Sequence, residues 1–372
     1  MTDYTQQARS IHASLPVIDG HNDLPWALRI RADSNIDAAN PCKPLVGYHT
    51  DVPRLEVGGV GAQFWSVFVP AWDPTPLRTT IEQIDLVQRM TGRCDRLSHA
   101  DSAKDVIAAR TLGKTASLMG AEGGHAIENS LVALRTLRRL GVRYMTLTHG
   151  DTIDWADSAT DEPRHGGLTD FGEEVVREMN RIGMLVDISH VSADTMRHAL
   201  SVSDKPVMAS HSSAFAIAPH PRNVPDDVLG MVRDNNGVVM INFYPPFVNR
   251  DAAEQSIGKF AVARRLMAEL GDNAAVEAEL QRMLEEDPYP EVTVAEVVDH
   301  IEHVAGVAGV AHVGLGSDYD GVDATPIGLE DVASYPAITV ELLRRGWTES
   351  DIRAVLGENA LRVLAANDQV TA

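Results

Sequence analysis

The 372-residue chain has two cysteines and five lysines, and aromatic residues make up only 5% of it. Two cysteines, Cys42 and Cys94, do not make the disulfide framework of a small secreted scaffold, and each reads as a small buried hydrophobe. No stretch approaches the roughly 20 apolar residues of a membrane-spanning helix. The opening MTDYTQQARSIHASL lacks the basic-then-apolar pattern of a secretory signal. A cytoplasmic protein with no membrane partner is therefore expected. Positive charge is also short: the net charge of −21 argues against nucleic acid, whose phosphates need Lys and Arg to neutralise them. There is no GxSxG, Walker A or HExxH, and no GxGxxG after the first apolar run, which excludes several common hydrolase and nucleotide-binding devices. No Pro/Gly/Ser-rich linker divides the chain, so residues 1–372 are expected to form one domain.

What the chain does have is alternation. Eight short apolar runs lie at residues 16–19, 63–69, 115–121, 142–148, 184–189, 206–210, 237–241 and 312–316. Apolar runs without strict polar alternation read as parallel strands covered on both faces. Among them lie amphipathic stretches at 81–90, 126–140, 169–182, 193–200 and 225–235, with apolar positions near a 3.6-residue period. Alternation of this kind predicts an α/β fold, a (β/α)8 TIM barrel. The surplus length falls in two places. Residues 243–310 carry a helix-forming insertion at about 250–300, and residues 329–364 look like closing helices, with Thr348 as a cap.

The runs also share a type of ending. Just beyond six of them come His21 and Asp23, Glu122, His149, His190, His211 and Asp318. All strand C-termini of a (β/α)8 barrel open on one rim, so these residues should converge. One histidine after one strand is most often a satisfied core residue; several imidazoles and carboxylates at equivalent ends suggest metal. His21 and Asp23 face the same side of an extended segment. Glu122, flanked by Gly123 and Gly124, has two oxygens and can bridge two cations; the plainer alternative is a glutamate at a helix N-terminus. None of Lys43, Lys104, Lys114, Lys205 and Lys259 follows a strand, which argues against a carbamylated lysine in the bridging role. The expected ligand sets are His21, Asp23 and Glu122 on one ion, and Glu122, His190 and His211 on the other. Two Zn2+ suit them, although Co2+ or Mn2+ also fits His and carboxylate ligands.

His149 is read as a carbonyl-polarising group, or else as a structural histidine near Trp155. Asp318 could accept a proton from the metal-held water and pass it to a leaving amine, and Asp320 could be turn chemistry before Gly321. Arg222 is placed to clamp a carboxylate, or to make a surface salt bridge.

The segments VIDGHNDLPW, GGVGAQFWSVFVP, AEGGHAIENS, YMTLTHGDTIDWADS, VDISHVS, ASHSSAFAIAPHPRN, VGLGSDYDG and ELLRRGWTESDI span essentially the whole chain. In these segments it closely resembles the membrane (renal) dipeptidase family of zinc dipeptidases, within the amidohydrolase-like barrels. The resemblance implies two zinc ions held by His21, Asp23, Glu122, His190 and His211. It also implies substrate contacts from His149 and Arg222, proton handling by Asp318, and a homodimer. The function expected is hydrolysis of dipeptides, L,D-dipeptides included, by a hydroxide held between two metals. The alternative is an amidohydrolase acting on a lactam or an N-acyl amino acid.

Overall fold

The β-branched and aliphatic runs form strands, as their composition predicts. The computed structural model describes residues 4–270 and 273–368. Its strands are β1 (Val17–Asn22), β2 (Val60–Phe68), β3 (Leu97–His99), β4 (Thr115–Glu122), β5 (Val142–Thr146), β6 (Leu185–Asp187), β7 (Met208–Ala209), β8 (Val238–Ile241) and β9 (Val313–Leu315). Every pairing among them is parallel, in the order β2-β1-β9-β8-β7-β6-β5-β4, and a long β2–β4 ladder closes the ring. The result is the expected eight-stranded (β/α)8 barrel.

The sequence reading missed β3. It is three residues, Leu-Ser-His, with no apolar run to betray it, and it lies outside the ring on the start of β4. From Met119 onward β5 takes over pairing with β4.

Strand side chains alternate between two apolar compartments, as a period of two requires. Ile18, Phe64, Leu118, Tyr144, Leu185, Met208 and Met240 fill the inside of the ring. Val17, Trp65, Met119, Met145, Val186, Ala209 and Ile241 face the helices. Full burial of side chains of this size stabilises by roughly 1.5–3 kcal/mol each, so this packing, not surface charge, closes the barrel. The same alternation carries Ser66, Glu122, Thr146, Asp187 and Asn242 towards the mouth, above the apolar plug.

The helices follow the predicted stretches with shifted ends. Thr169 does cap the helix Asp170–Ile182, accepting from Gly172 N–H at 3.4 Å, and Thr348 caps Glu349–Arg353. The stretch 126–140 is not one helix. A 3-10 turn, Gly124–Ile127, is followed by left-handed Glu128 and Asn129, and Ser130 then caps Leu131–Arg139. The insertion before β9 contains the helices Arg250–Leu270, Asn273–Glu286 and Val294–Ala308.

The cysteines require a correction. Cys42 and Cys94 are bonded to each other, with Cα atoms 5.7 Å apart. Cys42 sits in the loop before the helix Val52–Gly58, and Cys94 caps the helix Pro76–Arg93 at its C-terminus. Arg96 donates to the Cys42 carbonyl and holds that loop over the helix end. The sequence shows two residues separated by 52 positions and not the loop that folds one onto the other. A bridge over such a span stabilises by about 4 kcal/mol in the chain-entropy account.

His300, on Val294–Ala308, ties the insertion to the barrel. It is fully buried, its Nδ1 accepts from Ala214 N–H at 2.9 Å, and its Nε2 donates to Val248 O at 3.0 Å. A second ring proton has no acceptor there, and burial lowers the pKa to about 4 from 6.5. Between those values the unfolded chain binds the extra proton and the folded one does not, so stability falls as pH falls. From pH 7 to 5 this residue should cost about 2 kcal/mol. Denaturant unfolding at both pH values should show a smaller drop for His300→Gln than for the parent; equal drops would contradict the assignment.

Candidate metal centre and its cleft

Glu122 closes β4 and stands among histidines from four other strand ends. Its Oε2 lies 3.3 Å from His21 Nε2, and that nitrogen is 3.2 Å from Asp23 Oδ2. Its Oε1 lies 3.0 Å from His190 Nε2 and 3.5 Å from His211 Nε2. The two carboxylate oxygens therefore face the two expected ligand sets, one each. The residues predicted as ligands do meet at one mouth.

The proton inventory shows what these nitrogens offer. Tyr144 OH donates its one hydrogen to Gly20 O at 3.2 Å, so at 2.7 Å it must accept from His21 Nδ1–H. Ser210 Oγ donates to Asp187 Oδ2 at 2.6 Å, so at 2.7 Å it must accept from His211 Nδ1–H. With Nδ1 protonated in each neutral ring, the Nε2 lone pairs of His21 and His211 point at Glu122. His190 Nε2 and His211 Nε2 approach to 2.9 Å, and His21 Nε2 is buried without a hydrogen-bond partner.

Burial opposes charge on His21, yet Tyr144, Glu122 and Asp23 hold its pKa well above the ordinary imidazole value. Burial would likewise raise Glu122, but His21, His190 and His211 keep it well below the carboxylate range. The cluster thus calls for positive charge between lone pairs and carboxylates. The residues present fit divalent cations.

The outer partners were not legible as such. Asp187 accepts from Ser189 N–H, Ser210 N–H, Ser210 Oγ and Thr146 Oγ1, and so orients His211 through Ser210. A charge inside the apolar run MLVDIS was the available signal, since a buried carboxylate needs partners. Tyr144 gave no such signal. Its ring occupies the space above Gly120, where a Cβ would come within 1.9 Å of Tyr144 Cζ. Ser66 Oγ adds a hydrogen bond to Glu122 Oε2 at 2.9 Å.

The remaining predicted residues line the same cleft, a cavity of about 380 Å³. His149 Nε2 is 3.9 Å from Glu122 Oε1, and its ring stacks near Phe68 and His190. Burial lowers its pKa to about 4, so it is neutral at pH 7. Asp318 Oδ2 accepts from Asn242 Nδ2 at 2.8 Å, and burial raises its pKa. Distance alone does not keep these two off a metal. His149 groups with Glu122 and His190, and Asp318 with His21 and Asp23, as closely as His211 groups with His21 and Glu122.

Arg222 makes no surface salt bridge. It is 2% exposed, lies over the Phe247 ring at 5.1 Å, and donates only long hydrogen bonds, to His211 O and Ser212 Oγ. Burial lowers its pKa to about 10, so it remains a cation at neutral pH. Asp320 ties down the loop at His49: its Oδ1 accepts from His49 N–H at 2.8 Å, and its own N–H donates to His49 Nδ1 at 3.0 Å. His190, Asp318 and Asp320 all have left-handed backbones, with φ of 66°, 68° and 66°. Each such residue costs about 1–3 kcal/mol, a strain that concentrates at functional sites.

Among solved structures the chain is similar to dipeptidase AC, a metallo peptidase of family M19. Identity is 26% over 96% of this chain and 99% of that one, with a TM-score of 0.78. It is similar to the probable dipeptidase PvdM from Pseudomonas aeruginosa, at 22% identity over 98% of each chain and a TM-score of 0.85. It also resembles a metallo peptidase from Rhodobacter sphaeroides liganded with a phosphinate mimic of the dipeptide L-Ala-D-Ala. That match has 24% identity over 95% of this chain and 99% of that one, with a TM-score of 0.77. At these identities the last two speak for the fold alone. The model of the family described as membrane dipeptidase (peptidase family M19) matches residues 5–372. With that match running almost end to end, the chain belongs to the membrane dipeptidase family, peptidase family M19, and is by class a metallo-dipeptidase.

Proposed function

We propose that this chain is a binuclear zinc dipeptidase that accepts L,D-dipeptides. In this reading His21, Asp23 and Glu122 hold one ion, and Glu122, His190 and His211 hold the other. The supporting observation is Arg222: a buried guanidinium with no carboxylate within salt-bridge distance among the described residues, in the same cleft as the Glu122 cluster. A cation so placed suits the terminal carboxylate of a short peptide, and charge-assisted pairing would fix the substrate's register. When bound, two zinc ions would bring a water close to neutral pKa and polarise the scissile carbonyl.

The chain's own groups supply the rest. Neutral His149 donates a hydrogen bond to the carbonyl oxygen as negative charge develops there. Asp318 has one oxygen held by Asn242, and its raised pKa suits carrying a proton to the leaving amine. The same groups would act on an N-acyl amino acid or a lactam. Parallel assays of a dipeptide and its N-acetyl form separate the readings, and dominance of the blocked substrate would favour the amidohydrolase.

The proposal treats residues 1–372 as one hydrolase domain and the enzyme as a homodimer, the latter resting on the family resemblance. Cytoplasmic residence is also carried here. No helix among the described residues is long and apolar enough to cross a membrane. The Cys42–Cys94 bridge weighs against that location, because disulfides persist chiefly in oxidising compartments. Thiol titration of unfolded protein from its native cells decides: two free thiols per chain support the cytoplasm, and none supports an oxidising compartment.

Glu122→Gln should lower bound zinc below two per chain by elemental analysis. It should also reduce kcat/KM at least about 100-fold, since changes one shell further out already cost 10–100-fold. Two zincs with full turnover would contradict the bridging role.

Arg222→Met should raise KM for dipeptides about 10–100-fold, the worth of a hydrogen bond to a charged group, with a smaller effect on kcat. Dipeptide amides should be nearly indifferent to the change. An unchanged KM for free dipeptides in the variant, or an equal loss on dipeptide amides, would remove Arg222 from substrate binding.

A further inference from the structure

The cleft does not end at the metal cluster. Tyr244, Phe260 and Asp323, which line it, also line a side cavity of about 140 Å³ under the inserted helices. Ser256, Lys259, Leu280, Leu284 and Tyr289 line the rest of it. Beyond lies a third space of about 230 Å³, bordered by Leu284, Glu285, Tyr289 and again Asp323. Asp323 therefore touches all three spaces. The passage begins on the Arg222 side, because Phe247, which the guanidinium covers, packs edge-on against Tyr244 at 5.2 Å. Trp26 and Phe68, edge-on to each other at 5.0 Å, form another part of the wall, where Phe68 meets His149. A dipeptide whose carboxylate sits on Arg222 would thus turn its C-terminal side chain towards Tyr244 and the side cavity.

The walls are mixed in a way that selects a class of side chain. Phe260, Leu280 and Leu284 offer apolar surface, whereas the far end offers carboxylates. Among the described residues the one cation in this lining, Lys259, is already committed. Lys259, 5% exposed, donates to the Asp287 carbonyl, lies 3.6 Å from the Asp287 carboxylate and faces the Tyr289 ring at 4.9 Å. Asp323 and Glu285 make no salt bridge within 4 Å to any Lys or Arg among the described residues. An aliphatic stem with a positive head matches this lining.

We propose, on the dipeptidase reading above, that the side cavity is a subsite for the C-terminal residue of the substrate, and that it takes a long basic side chain with Asp323 as the main partner of its charge. The test compares kcat/KM for Ala-X dipeptides with X as Lys, norleucine, Glu or Ala, in both stereochemistries at X. The intact enzyme should prefer Lys to norleucine about fivefold, as expected for one partly exposed ion pair. Asp323→Asn should bring that ratio close to one. Leu284→Trp, which fills the cavity from the opposite wall, should lower Lys and norleucine together relative to Ala. Ratios are read within each variant, so a general loss of stability does not imitate the effect.

A Glu substrate that outruns Lys would make Lys259 the anchor and overturn the proposal. So would a Lys preference that survives Asp323→Asn, or one seen only in X-Ala peptides. In those cases Ala-Ala is still hydrolysed and the dipeptidase reading stands. Failure of the zinc-loaded parent on every dipeptide would instead overturn that reading, and the subsite with it.

Discussion

Crowding of lone pairs and carboxylates around Glu122 is the constraint on which the rest of the structure turns. Three imidazole nitrogens lie within 3.5 Å of its oxygens, and one of them, His21 Nε2, is also 3.2 Å from the Asp23 carboxylate. In water such groups would spread apart. Here four strand ends hold them together, and Tyr144, Ser210 and Asp187 fix the His21 and His211 rings. An arrangement so unfavourable on its own makes physical sense as a receptor for cations. The apolar plug below keeps the strands in register, and the left-handed turns at His190 and Asp318 aim side chains where ordinary backbone would not.

Much of this was legible in the sequence because barrel geometry turns a one-dimensional pattern into a shared location. Strand ends hundreds of residues apart meet on one rim, so a polar group after an apolar run carries positional meaning. His21, Glu122, His190 and His211 were readable for that reason. The residues that hold them were not. Tyr144 looks like one more aromatic in a strand, and only the space left by Gly120 shows that its hydroxyl can reach His21. The disulfide was illegible for a related reason: loop paths, unlike strand ends, have no fixed meeting place. β3 was too short to leave any trace.

Charge at the site is local and contrary to the whole. The chain is strongly acidic, yet among the described residues the one cation lining the cleft, Arg222, is buried and nearly free of partners. Keeping a guanidinium dry and unpaired is costly unless something routinely completes it. His149 shows the opposite choice, an imidazole kept neutral by burial so that it can donate without adding charge. On the proposed reading they separate anchoring from polarisation, with one fixed charge for a terminus and one neutral dipole for a carbonyl.

Among the described residues, the insertion between β8 and β9 reaches the cleft through Phe260 alone of its long helices and supplies none of the groups packed on Glu122. Its hold on the barrel runs through His300, the turn Pro245–Val248 and the buried Val297, Val298, Ile301 and Val304, away from the cation cluster. The side cavity draws its apolar walls, Phe260, Leu280 and Leu284, from those helices, and its carboxylate, Asp323, from the loop after β9 that also carries Asp318. Lineages could exchange or reshape that helical attachment, and so change diet, while the engine beneath it stayed untouched.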